Sequence, residues 1–231
     1  GKWGTMGVSG DGTTVVSVPN TAAIQTLAIN PGGTVLLGGN FGSIAGVGYK
    51  NLGLYYPTTN TLGTPAGGTI GAGTIYTVAV APWGSAYLGG DFTTLAGTTA
   101  SGVGVWNGAF GSLVGGTLTS GNYLVALMVA GNGSLWMGGS IASVGGTVAR
   151  HLVFWQNGAA GTPTGGSIGA GVTALAEGLD GKIFFTGGFS QAFGNTARFV
   201  GFWQNGAGGT LSGGTLNSSP AAIKTGPNGR E

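Results

Sequence analysis

Apolar and polar positions along this chain fall into short runs that stop at a turn and then begin again. Residues 172–203 show the unit most clearly. An alternating run through Ala176 meets a turn at Asp180-Gly181. A second apolar run, 183–185, follows Lys182 and passes through Thr186 to Gly187-Gly188. A Gly/polar loop then leads through Arg198 into a third run closed by Trp203. Short runs rich in β-branched and aromatic residues predict strands, and Asp-Gly between two of them predicts a hairpin, because both turn positions must accept φ > 0. No stretch carries the 3.6-residue period of an amphipathic helix.

The unit is written four times. Double glycines fall at 38–39, 89–90, 138–139 and 187–188, spaced by 51, 49 and 49 residues. Apolar runs begin before them at Ile24, Ile75, Leu124 and Val172, and aromatic stops follow at Tyr56, Trp106, Trp155 and Trp203. A fourth, weaker segment comes after each stop. Four short strands repeating near every 49 residues predict the blades of a β-propeller, each a four-stranded meander. The runs at 75–80 and 124–129 are almost wholly apolar, as suits inner strands buried on both faces. A double glycine ending the second strand suits a place where a side chain would collide with the adjoining blade. The aromatic stops suit filling between blades.

The expected fold is therefore all-β, a propeller of about five blades in one domain, 1–231. Repeats occupy 21–73, 74–122, 123–171 and 172–220. Residues 1–20 have the character of outer strands and 221–231 of the start of a further blade. These two pieces are complementary, so they are expected to close the ring as a composite or truncated fifth blade. Strands missing from that blade call for a longer polypeptide or a partner strand.

Composition narrows the function. Glycine supplies 54 of 231 residues without a Gly-X-Y period, 42% are hydrophobic, and only 5% are charged. Sixteen Phe and Tyr and six Trp belong to a folded chain rather than a disordered one. A net charge of +2 with no Lys/Arg cluster gives no footprint for nucleic acid. No apolar run is long enough for a membrane-spanning helix. With no Cys and one histidine, His151, neither a thiolate nor a multi-histidine metal site can form. No nucleophile elbow accompanies His151. No catalytic residue, cofactor or metal site is expected.

With apolar run, turn, YLGGDF at 87–92, long loop, Ala-Arg at 149–150 and 197–198, then FW and NG, the unit resembles kelch- or WD-like propeller repeats. Such repeats occur in bacteriophage tail and virion proteins and in bacterial surface proteins. Tachylectin-type five-bladed lectins are similar in repeat length and total length. The kelch Tyr and Trp at fixed separation after the double glycine are not reproduced here, and the first unit has Tyr55-Tyr56 in place of Trp. The resemblance implies a non-enzymatic structural or interaction module, extracellular or virion-associated, whose partners are other subunits of an assembly. It equally implies a lectin-like module that binds cell-surface glycans.

Candidate contact residues follow from positions that repeat. Lys50, Arg150 and Arg198 lie 12, 12 and 11 residues after the first glycine of their units, with Ser101 in the second unit. They form a ring of positive charge for an anionic partner, or they cap carbonyls and stack on aromatics within the fold. Asn40 and Asp91 follow the double glycine, where the third unit has Ser140 and the fourth lacks a residue. They bind a sugar or cation, or they bond loop backbone. Trp83, with Tyr49 and Tyr123, could stack on a sugar, though Trp83 also suits a turn flank.

Overall fold

In the computed structural model, residues 6–7, 15–16, 23–44, 47–48, 50–66, 70–113, 116–119, 121–164, 166–211, 216–224 and 226 are described. They form only β-structure and turns. Four antiparallel four-stranded meanders follow one another in chain order. The first comprises Ala23–Ile29, Val35–Asn40, Leu52–Tyr56 and Thr61–Gly63. Next come Ile75–Val80, Ala86–Gly90, Val103–Trp106 and Phe110–Ser112. The third has Tyr123–Val129, Leu135–Ser140, Leu152–Gln156 and Ala159–Gly161. The fourth has Val172–Glu177, Ile183–Gly187, Val200–Gln204 and Ala207–Gly209. This is a propeller-like stack of blades.

Alternation along the second strands explains the stacking. Leu36 faces the second blade and Leu37 faces the opposite way. Tyr87 faces the third blade while Leu88 faces the first, and Trp136 faces the fourth while Met137 faces the second. Each of the three large cores therefore lies between consecutive blades rather than within one. A lone blade would leave both apolar faces in water, so neighbours must assemble to bury them.

The tryptophans fill these interfaces. Trp203 packs on Trp136 and Phe154 of the third blade, with ring centroids 5.3 and 6.4 Å away. Trp106 donates its Nε1–H to Ala66 O, in the connection leaving the first blade, at 3.3 Å. In the first blade the corresponding residue is Tyr55 rather than Tyr56. Val35 pairs with Tyr55 as Ala86 pairs with Trp106 and Leu135 with Trp155.

Strand pairing also corrects the alignment of the fourth repeat. In each blade the innermost strand carries a bulge opposite the end of the second strand. The glycines there are Gly39, Gly90, Gly139 and Gly187. A Cβ on any of them would overlap the carbonyl oxygen of Ala23, Thr74, Tyr123 or Gly171 respectively. Gly187 is thus the counterpart of Gly139, not Gly138. Thr186 takes the first-glycine position, and Gly188 matches Ser140, so the fourth blade lacks no residue there. The first glycines do face the adjoining blade: a Cβ on Gly38 would press on Ile75, and one on Gly138 on Val172.

The loop expected after each second strand folds into a two-residue-per-strand hairpin, such as Thr94–Leu95 with Thr98–Thr99 and Gln191–Ala192 with Asn195–Thr196. The hairpins of the second, third and fourth blades reach the connection leaving the preceding blade, through the bridges Ile70 to Leu95, Leu118 to Val144 and Ile168 to Ala192. These contacts stitch neighbouring blades at their rims.

Most of the expected closing blade lies outside the described residues, which include only a short pairing of Met6–Gly7 with Val15–Val16. Residues 221–224 are not in a strand, although Thr173 Oγ1 donates to Pro220 O at 3.1 Å. Among the described residues no sheet joins the first blade to the fourth. Leu27 and Ile29 on the first blade are 52% and 68% exposed.

The glycine assignment gives a paired test. Gly187→Ala is expected to destabilise the fold by about 3 kcal/mol through overpacking. Gly188→Ala, with open space at its Cβ, is expected to stay within about 0.5 kcal/mol. Denaturant unfolding of both variants checks this, and the reverse order would contradict the strand register. By the same measurement, Trp203→Ala is expected to cost about 3–5 kcal/mol.

Candidate interaction face

The second strand of each blade runs to the bulge end, and its loop returns to the third strand through a pair of left-handed residues. These pairs are Lys50-Asn51 (φ 37°, 72°), Ser101-Gly102 (25°, 76°), Arg150-His151 (43°, 76°) and Arg198-Phe199 (34°, 78°). Left-handed backbone is disfavoured by about 1–2 kcal/mol for an ordinary L-residue. It is fixed here by bonds on both sides. The second residue of each pair donates its N–H to Phe41, Phe92, Ile141 or Phe189 O at 2.7–2.9 Å. Its own carbonyl accepts from the glycine N–H of Gly39, Gly90, Gly139 or Gly187 at 2.9–3.3 Å.

The first residue of the pair is consequently pushed outward. Lys50, Arg150 and Arg198 are all exposed. Among the described residues none of their side chains takes a hydrogen bond, ion pair or ring contact. Among the described residues no carbonyl cap or aromatic stack, the structural alternative for this position, is formed by these side chains. All three stand 11 residues after the corrected glycine, as does Ser101. The sequence pattern had located the position but not its backbone. The only hints were Gly102 and Asn51, two residue types that tolerate φ > 0.

His151 belongs to this scaffold. Its Nδ1 lies 3.4 Å from the Ile141 nitrogen and 3.3 Å from Gly139 O, in the place where the Asn51 Oδ1 accepts from the Phe41 N–H at 2.8 Å in the first blade. The Asn51 side chain also donates to Gly73 O at 2.7 Å, tying the first blade to the connection that follows it.

Asp91 is anchored at the inner rim of the same face. Its Oδ1 accepts from the Thr74 N–H at 2.5 Å and its Oδ2 from the Tyr76 hydroxyl at 3.0 Å. Tyr76 meets the exposed Tyr123 edge-on at 6.2 Å. Burial, and then the hydrogen bond to Asp91, push the Tyr76 phenol above its ordinary pKa. Asn40, the matching residue of the first blade, is exposed, and no such anchor is present among the described residues. Gly188 leaves the fourth blade with no side chain there.

Trp83 lies elsewhere. It sits in the turn between the first two strands of its blade, at the opposite end from the left-handed pairs, and is 58% exposed. There it flanks the equivalent turn of the third blade, 3.6 Å from where a Cβ on Gly133 would stand. The structure thus gathers Asn40, Asp91, Lys50, Arg150 and Arg198 at one end of the blades and leaves Trp83 out. Tyr49 lies outside the described residues.

That same end holds a cleft between the third and fourth blades, of about 390 Å³, with Arg150 in its lining. Among the described residues no group of three or more His, Asp or Glu is placed to hold a metal ion. Among the described residues no helix is long and apolar enough to cross a membrane.

No known family matches the sequence, and no curated protein does. Solved structures that share the fold include the following two. The extracellular domain of BT4673 from B. thetaiotaomicron superposes with a TM-score of 0.59 at 14% identity, over 89% of this chain and 25% of that one. PorZ, an essential surface component of the type-IX secretion system of Porphyromonas gingivalis, superposes at 0.50 with 18% identity, over 77% of this chain and 26% of that one. The chain spans about a quarter of the length of each. At these identities the likeness is one of fold.

The tyrosine–aspartate contact has a pH signature. Burial also raises the Tyr87 phenol, a shift partly offset by a hydrogen bond with Trp83. Since the fold keeps Tyr76 and Tyr87 protonated to higher pH than the unfolded chain does, their contribution to stability is complete below pH 10.0. It is lost as pH rises through the raised pKa values. Melting temperature is expected to fall across that window, less steeply in Asp91→Asn. Ultraviolet titration of that variant should place Tyr76 nearer its ordinary value, but still above it because burial remains.

Proposed function

We propose that this chain is a non-enzymatic interaction module of an extracellular or surface assembly, and that it meets its partner through the face bearing Lys50, Arg150 and Arg198. One observation carries the reading. Three of the seven basic residues occupy the same outward position in their blades. They stand on disfavoured backbone, and among the described residues their side chains make no hydrogen bond, ion pair or ring contact. Strained residues held by an over-determined scaffold point to a role beyond stability. Few other charges compete on a chain this neutral, so repeated cations present a multivalent surface to an anionic partner. Packing against other subunits of an assembly and attachment to a host surface are both served by such a face.

The surface setting is supported by the two fold neighbours, whose descriptions place them outside the cell or on its surface. The virion setting rests on the resemblance of the repeats. The absence of catalysis is part of the proposal: the only histidine is turned toward backbone at Ile141.

A lectin-like role is the second reading. It is favoured by Tyr76, Tyr123 and Asp91, where aromatic surface meets a carboxylate with acceptor capacity to spare.

The triple variant K50Q/R150Q/R198Q tests the main reading. Its melting temperature is expected to match the parent, while retention on a heparin surface at low salt falls sharply. A lower melting temperature with unchanged retention would make the cations structural and sink the proposal. Binding to neutral glycans on a printed array, lost in Tyr123→Ala and kept in the triple variant, would favour the second reading instead.

A further inference from the structure

The cleft beside Arg150 is built from two blades. Val148 and Arg150 come from the third blade's loop, Thr162, Pro163 and Ile168 from the connection leaving that blade, and Phe193 from the fourth blade's small hairpin. Its volume of about 390 Å³ falls within the range of small-molecule sites, which runs from about 300 to 1,000 Å³. The lining contains one cation and no carboxylate.

Phe193 makes this junction unlike the others. It occupies the first turn position of its hairpin with φ 52°, where the second and third blades have Ala96 and Gly145. A bulky side chain in left-handed backbone is an outlier. It is held there by an edge-on contact with Phe185 at 5.8 Å, and its ring fills the space that any side chain at Gly208 would need. Its backbone also lies under Gly166, where a Cβ would come within 3.1 Å of the Phe193 Cα. The fourth blade therefore commits a strained aromatic and a glycine to shaping this wall. In the same lining, Arg150 is exposed on its own left-handed turn with no partner among the described residues. The junction before it has Ser101 at the matching position and so lacks the charge.

We infer that this cleft is a binding site for a monocarboxylate carried on a six-membered ring. The guanidinium fork matches a carboxylate in two parallel hydrogen bonds. Val148, Ile168 and Phe193 give the cleft an apolar side next to that cation. A doubly charged phosphate would call for a second cation, which the lining lacks. The ring lies against Val148, Pro163 and Ile168, and the Thr162 hydroxyl serves a ring hydroxyl. Two sources share this chemistry: the uronate unit of an acidic glycan, and an alicyclic carboxylic acid. The inference rests on the proposed contact face and gives it a ligand at one of its three cations.

Calorimetric titration of the full chain with glucuronate, cyclohexanecarboxylate and glucose tests it. At least one carboxylate is expected to bind and glucose is not. Arg150→Gln should weaken the carboxylate at least tenfold, whereas Lys182→Gln, in the turn at the opposite end of the fourth blade, should leave it unchanged. Thr162→Val should weaken glucuronate more than cyclohexanecarboxylate. Whichever acid binds tighter names the source. Equal binding of glucose, full binding in Arg150→Gln, or no binding of either acid would overturn the inference. Loss of heparin retention in the triple variant, together with no binding of either acid, would refute the cleft alone and leave the contact face standing.

Discussion

Everything in this fold depends on one close approach, repeated in each blade. The last glycine of the second strand passes so near a carbonyl of the bulged innermost strand that no side chain fits between them. The bulge leaves Gln25, Tyr76, Val125 and Thr173 out of the ladder, and these residues mark the same point in their four blades. The same glycine donates its N–H to the second member of the left-handed pair. One backbone position thus ties three strands together. The left-handed pair then turns its first side chain outward. Steric exclusion at a glycine and presentation of a cation are two ends of one geometry.

Blade stacking follows from alternation. A period of two gives every second strand one side chain for the preceding blade and one for the next, so the cores lie between blades. The large aromatics sit where this demand is greatest. On the far side of the fourth blade, Lys182 stands 5.7 and 5.1 Å above Phe184 and Phe202 and pairs with Asp180 at 3.2 Å. Its aliphatic stem covers apolar surface there while its charge stays in water.

A chain with so few charges can put them to selective use. Asp180, Asn132 and Asn30 close turns by accepting backbone N–H groups two or four residues on, and Glu177 reaches the neighbouring blade's turn at Gly131. These polar groups are occupied by the fold. Lys50, Arg150 and Arg198 stand apart from them, and that contrast within one molecule directs attention to their face.

Strand number, blade repeat and the repeated basic position were legible in the sequence, because period-two runs, Asn-Gly and Asp-Gly turns and equal spacings are local properties of the chain. The sequence misplaced the fourth repeat by one residue. Two adjacent glycines look alike until a carbonyl and a neighbouring blade distinguish their surroundings. It likewise read Tyr56 for Tyr55, since adjacent tyrosines differ only in which side of the strand they face. The rim hairpins were hidden because their strands are two residues long and are held by the connection from the preceding blade. Only the tertiary structure could separate Trp83 from the other candidates, since the end of a blade at which a turn lies depends on strand pairing. The left-handed conformation of Arg150 and Arg198 was equally out of reach. Nothing in an arginine asks for it, and bonds from the residue that follows, to partners 10 and 12 positions away, impose it.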